Sequence, residues 1–303
     1  MNQTEFNTQS ERIILEIANQ AQRKQAQMIR DNLIKNYIGE DEVITFESIY
    51  EKEKVKPRRA FFSTGHAYLD ECLGGGIAEG ELIIISGYTG NGKTSFCYDI
   101  TRNMPKQNCL WLPFEESAEE LAEKSIKYGQ APIHFYTPKQ LPRDDIQWIE
   151  ERILESVLKY NTKVVFIDNL HFITMQENQD FNKNGVFAKQ LKRIASKFEI
   201  AIVLIGHLRK SQGGIHTMPT YEDIQGSSDV VKLANKVLAV WREAKKDLNG
   251  QINYTGYTKV AVQKVRGAYG KLENILFTWN KGVYAEQSAA ALVNELNKDK
   301  YDF

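Results

Sequence analysis

Eight residues constrain this 303-residue chain more than any others. Gly87 to Thr94 read Gly-Tyr-Thr-Gly-Asn-Gly-Lys-Thr, which satisfies G-x-x-x-x-G-K-[ST] at every fixed position. The apolar run from Leu82 to Ser86 reads as a buried strand, and Ser95 to Ile100 can start a helix. Strand, glycine loop and helix is the setting in which backbone N–H groups wrap a phosphate chain. The residues expected to hold a nucleotide are therefore Gly87, Thr89, Gly90, Asn91, Gly92, Lys93, Thr94 and Ser95. Lys93 is expected to reach the β- and γ-phosphates of ATP or another nucleoside triphosphate, and the Thr94 hydroxyl to ligate Mg2+.

The rest of the chain is read around that loop. A hydrophobic content of 42% supports a large core, enough for one large domain with an appendage or for two small domains. The longest apolar runs are too short to cross a bilayer, and the polar Met-Asn-Gln-Thr-Glu-Phe-Asn start carries no signal-peptide pattern. Cys72, Cys97 and Cys109 are isolated and odd in number, which predicts buried thiols in a reducing compartment. The expected setting is the cytoplasm of a bacterial or phage-infected cell, with no membrane partner. The five histidines show no metal-ligand spacing. With 39 basic and 39 acidic residues, any nucleic-acid contact has to come from a local patch.

Residues 9–37 have a helical pattern, with Ile14, Ile17, Ala21, Met28 and Ile29 near one face. That face fits either its own domain or a neighbouring subunit. The charged residues 38–60 read as a linker. Leu73-Gly74-Gly75-Gly76 closes a short helix where left-handed backbone costs little. Strands are expected at Cys109–Phe114, Lys163–Asp168, Ile200–Gly206, Val237–Trp241, Thr258–Lys264 and Asn274–Trp279, with a short one at Ile133–Tyr136. Helices are expected at 118–128, behind a Ser117/Glu120 capping box, at 144–160, around 187–198 and at 229–234, with a loose one at 287–298. Lys189, Lys192, Arg193 and Lys197 are assigned to a solvated face. The expected class is α/β: a mostly parallel sheet with helices on both faces and late hairpins, preceded by a helical N-terminal segment.

Hydrolysis of a triphosphate needs a carboxylate for the Mg2+ shell, a base, a γ-phosphate sensor and positive charge in the transition state. Asp168 ends a buried strand in the right place for the first. Glu115 is the expected base, with Glu116 as the alternative or a surface carboxylate. His207 ends the next buried strand and suits either a sensor or a satisfied core imidazole. Lys264 and Arg266, one residue apart before Gly267, form either a solvated edge or a pair reaching a neighbour's triphosphate.

In order and spacing these motifs resemble the DnaB-type replicative helicases and the phage and mitochondrial primase-helicases. The matching stretches are the phosphate loop, Leu112 to Ser117, Phe166 to Phe172, Gly206 to Arg209, Asp223 to Ser227, and Lys264-x-Arg266-Gly267. The resemblance implies a RecA-like P-loop NTPase over residues 60–285, between an N-terminal helix and linker at 1–59, with a possible subunit-docking role, and a tail at 286–303. It implies ATP hydrolysis coupled to DNA unwinding by a ring, expected to be a hexamer, on single-stranded DNA and forked duplex. Glu115 is then the base, Asp168 and Thr94 serve Mg2+, His207 senses the γ-phosphate, and Lys264 and Arg266 act in trans. Arg209, Lys210, Ser211 and Gly213 would line the DNA channel, with residues 176–184 a second channel loop. Arg242 and Trp279 fall where some relatives stack on the base, and Trp279 suits a core position equally. Lys232 stands where the family commonly has a glutamine, and no primase or zinc-binding region precedes the motor, so a separate primase or loader is expected. Two rivals stay open. One is a RadA-like recombination ATPase forming filaments on DNA. The other is a KaiC-like nucleotide-switched signalling or assembly ATPase.

Overall fold

The computed structural model describes residues 3–35, 44–55, 59–104, 108–128, 133–135, 145–168, 181–207, 219–220, 228–246, 252–267 and 269–287. The chain divides into two units, Met1–Arg58 and Arg59–Phe303. The first holds α1 (Gln3–Lys35) and α2 (Phe46–Val55). α2 lies inside the stretch expected to be a linker. Thr45 caps it by accepting the Ser48 N–H at 3.2 Å, and Phe46, Ile49 and Tyr50 recur at helical spacing. The charge run after them masked this signal. Every described side chain of both helices is exposed, including Ile17, Met28 and Ile29 of the apolar face expected on α1.

The second unit opens with two short strands that the sequence pattern did not announce. β1 (Phe61–Phe62) pairs antiparallel with β2 (Ile77–Ala78), and α3 (Ala67–Cys72) lies between them in the chain. The return is made by Gly74, Gly75 and Gly76 at φ 73°, 115° and 102°, as the triple glycine predicts. A Cβ on Gly76 would sit 2.5 Å from the Phe62 carbonyl oxygen.

The main sheet contains β3 (Leu82–Gly87), β4 (Cys109–Pro113), β5 (Ile133–Phe135), β6 (Val164–Asp168), β7 (Ala201–His207), β8 (Lys236–Lys246), β9 (Ile252–Val265), β10 (Glu273–Asn280) and β11 (Val283–Glu286). Its order is β11-β10-β9-β8-β3-β7-β6-β4-β5. From β8 to β5 all pairings are parallel, and β9 to β11 extend one side as antiparallel strands. The helices are α4 (Lys93–Arg102), α5 (Ala118–Tyr128), α6 (Asp145–Tyr160), α7 (Phe181–Lys197) and α8 (Ser228–Leu233). α6, α7 and α8 supply one core layer, through Ile149, Ile153, Leu191, Ile194 and Val230. α3 and α4 supply the other, through Leu69, Phe96, Cys97 and Ile100. Coverage on both faces explains why the central strands are continuously apolar instead of alternating. All three cysteines are buried and free.

One charged pair is built into this core. Lys236 donates to Glu81 at 2.6 Å and to the Gly76 carbonyl at 2.7 Å, and both side chains are almost wholly buried. Lys236→Ala leaves the Glu81 carboxylate uncompensated, so an expected loss of about 3–5 kcal/mol should lower the urea midpoint. An unchanged midpoint would show that Arg59, 3.6 Å from Glu81, suffices to hold it.

Candidate active site

Register brings the site together. Gly87 pairs with His207, Asp168 with Ile205, and Pro113 with Asp168. The carboxyl ends of β3, β7, β6 and β4 therefore form one row, the edge of an open α/β sheet where ligands bind. The phosphate loop leaves β3 there and passes directly into α4. Gly90 and Gly92 take φ 81° and 85°, and Gly92 is the N-cap residue of α4. The loop's glycines also permit close approach, since a Cβ on Gly87 would meet the Val240 carbonyl at 2.4 Å. The result directs the free N–H groups of a helix N-terminus at the space outside the sheet, where an anion is favoured.

Three side chains from separate elements meet across this row. Lys93 donates to the Tyr88 carbonyl at 3.2 Å and to His207 Nδ1 at 3.3 Å. An ammonium has no acceptor, so His207 Nδ1 is the accepting nitrogen and its Nε2–H points to Glu115 Oε1, 3.1 Å away. Thr89 Oγ1 lies 3.3 Å from the same Nδ1. Burial pushes the Lys93 ammonium below its usual pKa, and the Asp168 and Glu115 carboxylates oppose that shift. Glu116, next to Glu115, is engaged instead by Lys124 in an ion pair. Glu115 is thus the glutamate that meets His207, and Glu116 the one held by Lys124.

Thr94 Oγ1 donates to Asp168 Oδ2 at 2.7 Å. Asp168 Oδ1 is buried, with no hydrogen-bond partner among the described residues. Burial is the main cause that raises the Asp168 carboxyl to about 6, and the nearby Glu115 and Glu116 carboxylates add to the rise. The Thr94 bond and the Lys93 charge work the other way. A hydroxyl beside a desolvated carboxylate with an unused oxygen fits a hard divalent cation.

Asn91, also in the loop, is tied to β8, its side-chain oxygen accepting the Arg242 N–H at 2.7 Å. The Arg242 guanidinium rests 4.2 Å from the centroid of the Tyr254 ring. Trp279 is 43% exposed, so it is no core residue. It pairs across β10–β11 with Tyr284, whose hydroxyl is 3.4 Å from the Gly92 carbonyl oxygen. Directly paired residues share a sheet face, so Trp279 lies on the face of the sheet that carries Tyr284. Tyr254 and Tyr284 were missed by sequence reasoning. Only the β8–β9 and β10–β11 registers reveal them. Ser95 is exposed on the first turn of α4.

Lys264 and Arg266 lie elsewhere. Lys236 pairs with Val265 on β9 and with Ile83 on β3, so the end of β9 is level with the start of β3. The pair is thus removed from its own phosphate loop by about 13 Å of strand or more. Lys264 donates to the Val231 carbonyl at 2.5 Å, and both Lys264 and Arg266 donate to that of Lys232, at the C-terminus of α8. Arg209, Lys210, Ser211 and Gly213, residues 176–180 of the second channel loop, His171, the 223–227 motif and the expected 287–298 helix beyond Gln287 lie outside the described residues. Lys192, assigned to a solvated face, is instead half-buried and donates to the Gly80 carbonyl at 2.7 Å.

A phosphate loop at the carboxyl edge of a parallel sheet, faced by an acid from β6 and a His–Glu pair from β7 and β4, defines a RecA-like ATPase fold. The chain belongs to the KaiC ATPase family, whose model, "ATPase: KaiC", matches residues 62–239. Among curated relatives it is similar to DNA repair protein RadA of Haemophilus influenzae, 25% identical over 49% of this chain and 32% of that one. It is also similar to a probable replicative DNA helicase of Trieres chinensis, 26% identical over 73% of this chain and 56% of that one. The chain therefore spans a third to about half the length of these relatives. A solved DnaB-like replicative helicase, studied for its interactions with primase, has a TM-score of 0.64 at 15% identity, covering 92% of this chain and 77% of its own. That likeness is one of fold, and it bears out the expected RecA-like architecture and DnaB-type resemblance. No helix among the described residues is long and apolar enough to cross a membrane.

Proposed function

We propose that this chain is an ATP-driven, ring-forming motor that moves along single-stranded DNA and separates duplex at a fork. The observation that carries this reading is the division of the catalytic set between the two ends of the sheet. Lys93, Asp168, Glu115 and His207 gather at one end, whereas Lys264 and Arg266 sit at the other. Such a set is completed only when another copy brings its Lys264 and Arg266 to the triphosphate. In the proposed hydrolysis, Glu115 takes a proton from water as its oxygen attacks the γ-phosphorus. The bond from that phosphorus to the bridging oxygen breaks, and ADP leaves. Lys93 and the α4 N-terminus hold the phosphates. Thr94 and Asp168 would hold Mg2+, which neutralises phosphate charge when bound. The base is read as resting on the Arg242–Tyr254 pair and Trp279. Helices α1 and α2, exposed throughout their described length, are read as the subunit-docking segment ahead of a motor spanning 60–285.

Turnover with and without single-stranded DNA tests this reading. Strong stimulation that fades with salt is expected, because phosphate contacts release counterions. Absence of stimulation would favour a nucleotide-switched assembly protein. The RadA similarity supports a second reading, a filament on DNA, and microscopy of the ATP-bound protein separates closed rings from filaments. Arg266→Ala should keep nucleotide binding and lose turnover by about 10³-fold. Partial rescue on mixing with Glu115→Gln copies supports action in trans; no rescue opposes it.

A further inference from the structure

The turn that opens the phosphate loop aims a hydroxyl at His207. The Asn91 N–H donates to the Tyr88 carbonyl at 3.1 Å, which closes a four-residue turn with Thr89 and Gly90 at its centre. Gly90 takes φ 81°, the conformation that the third position of a type II turn requires. Thr89 therefore holds the second position, at the exposed crest of the turn. Its Oγ1 lies 3.3 Å from His207 Nδ1. The Tyr88 carbonyl that closes the turn also accepts from Lys93 at 3.2 Å, so the turn and the lysine share one anchor.

His207 Nδ1 is thus approached by Lys93 Nζ and by the Thr89 hydroxyl, each at 3.3 Å. A neutral imidazole offers one lone pair there. The Lys93 ammonium uses it in this structure, which keeps the ring proton on Nε2 and directs Nε2–H to Glu115 Oε1 at 3.1 Å. A triphosphate that draws Lys93 to itself removes that donor just when Glu115 has to act. The ring then has three courses. Its proton can move from Nε2 to Nδ1, which turns a bare Nε2 lone pair on the Glu115 carboxylate, acceptor against acceptor. It can bind a second proton, which engages the Glu115 charge in an ion pair. Or Nδ1 can accept from Thr89, which keeps the ring neutral and Nε2–H on Oε1. The third course leaves Glu115 oriented through one oxygen, with its charge available to take a proton from water.

We infer that Thr89 is a positioning residue for hydrolysis: its hydroxyl replaces Lys93 at His207 Nδ1 when the lysine turns to the triphosphate, and so holds the tautomer that orients Glu115. The inference rests on the proposed role of Glu115 as the base. It assigns a task to a position that the phosphate-loop motif leaves open, since G-x-x-x-x-G-K-[ST] accepts any residue at 89.

Two substitutions test it. Thr89→Val keeps the branched shape and removes the hydroxyl, whereas Thr89→Ser keeps the hydroxyl. Each is compared with the parent in affinity for a non-hydrolysable ATP analogue and in single-turnover hydrolysis at saturating ATP. The third measurement is the state of Nδ1 with the analogue bound, read in solid-state 15N spectra of protein labelled at histidine Nδ1. His207→Gln identifies the His207 line among the five histidines by its loss. Thr89→Val should bind the analogue as the parent does and hydrolyse ATP about tenfold more slowly, the effect of one lost hydrogen bond. Its Nδ1 should carry a proton, where the parent and Thr89→Ser show that nitrogen bare. Thr89→Ser should hydrolyse at close to the parental rate. A parental rate in Thr89→Val, a bare Nδ1 in that variant, or an equal loss in Thr89→Ser overturns the inference. So does weaker analogue binding with an unchanged rate at saturation, which makes Thr89 a phosphate contact. Glu115→Gln in the same series separates the two levels. If it hydrolyses like the parent, the base assignment itself falls; if it is slow while Thr89→Val is fast, only the role of Thr89 falls.

Discussion

Replacing Lys93 by alanine is expected to cut ATP turnover by about 10³-fold or more and to remove most nucleotide binding. The reason is local. Lys93 is buried, at 5% exposure, so its charge acts where water screens it weakly. It is already desolvated and aimed along the row, with Tyr88 and His207 as resting partners. A triphosphate that displaces these partners gains a pre-positioned cation, and alanine offers none. The fold should survive, because the side chain serves the loop and no core cluster contains it. The check is twofold: turnover, and the thermal shift given by saturating ATP. A ligand at 100 times its Kd stabilises by about 2.7 kcal/mol. The variant should lose that shift while its own midpoint stays near the parent's. Turnover at the parental rate would remove the phosphate-loop reading.

Glu115→Gln should bind ATP as the parent does and hydrolyse it about 10²–10⁴-fold more slowly. The amide is nearly isosteric, and its oxygen still accepts from His207 Nε2–H, so the link from Glu115 through His207 to Lys93 remains. Only the ability to take a proton is lost. Glu116→Gln makes the contrast, because Glu116 is engaged by Lys124 and its loss should change turnover little. A slow Glu116 variant beside a normal Glu115 variant would move the base by one residue. Quenched-flow measurement of a single turnover distinguishes slow chemistry from slow product release in either case.

Much of this site is legible in the amino-acid sequence. The phosphate loop, the strand ending in Asp168 and the Glu-Glu after β4 are local patterns, and locality is what a sequence preserves. α5 was readable to its ends because Ser117 and Glu120 form a reciprocal cap, with bonds of 3.2 Å and 2.8 Å. α2 was not, because its charge run resembles a linker while the signal that forms it is the cap at Thr45. Lys192 was misplaced for a related reason. Periodicity put it off the core face, but its long stem carries the ammonium back to the Gly80 carbonyl.

The sequence by itself determined that a triphosphate loop exists, that its strand is buried on both sides, and which residues carry the charges. These follow from residue type and short-range spacing. Which glutamate faces His207, which tyrosine supports Arg242, and that Lys264 and Arg266 stand at the far end of the sheet were decided only by strand order and register. Glu115 and His207 meet across 92 positions of chain, and β3 pairs with β7 and β8 across more than a hundred; no local pattern encodes which residues will meet.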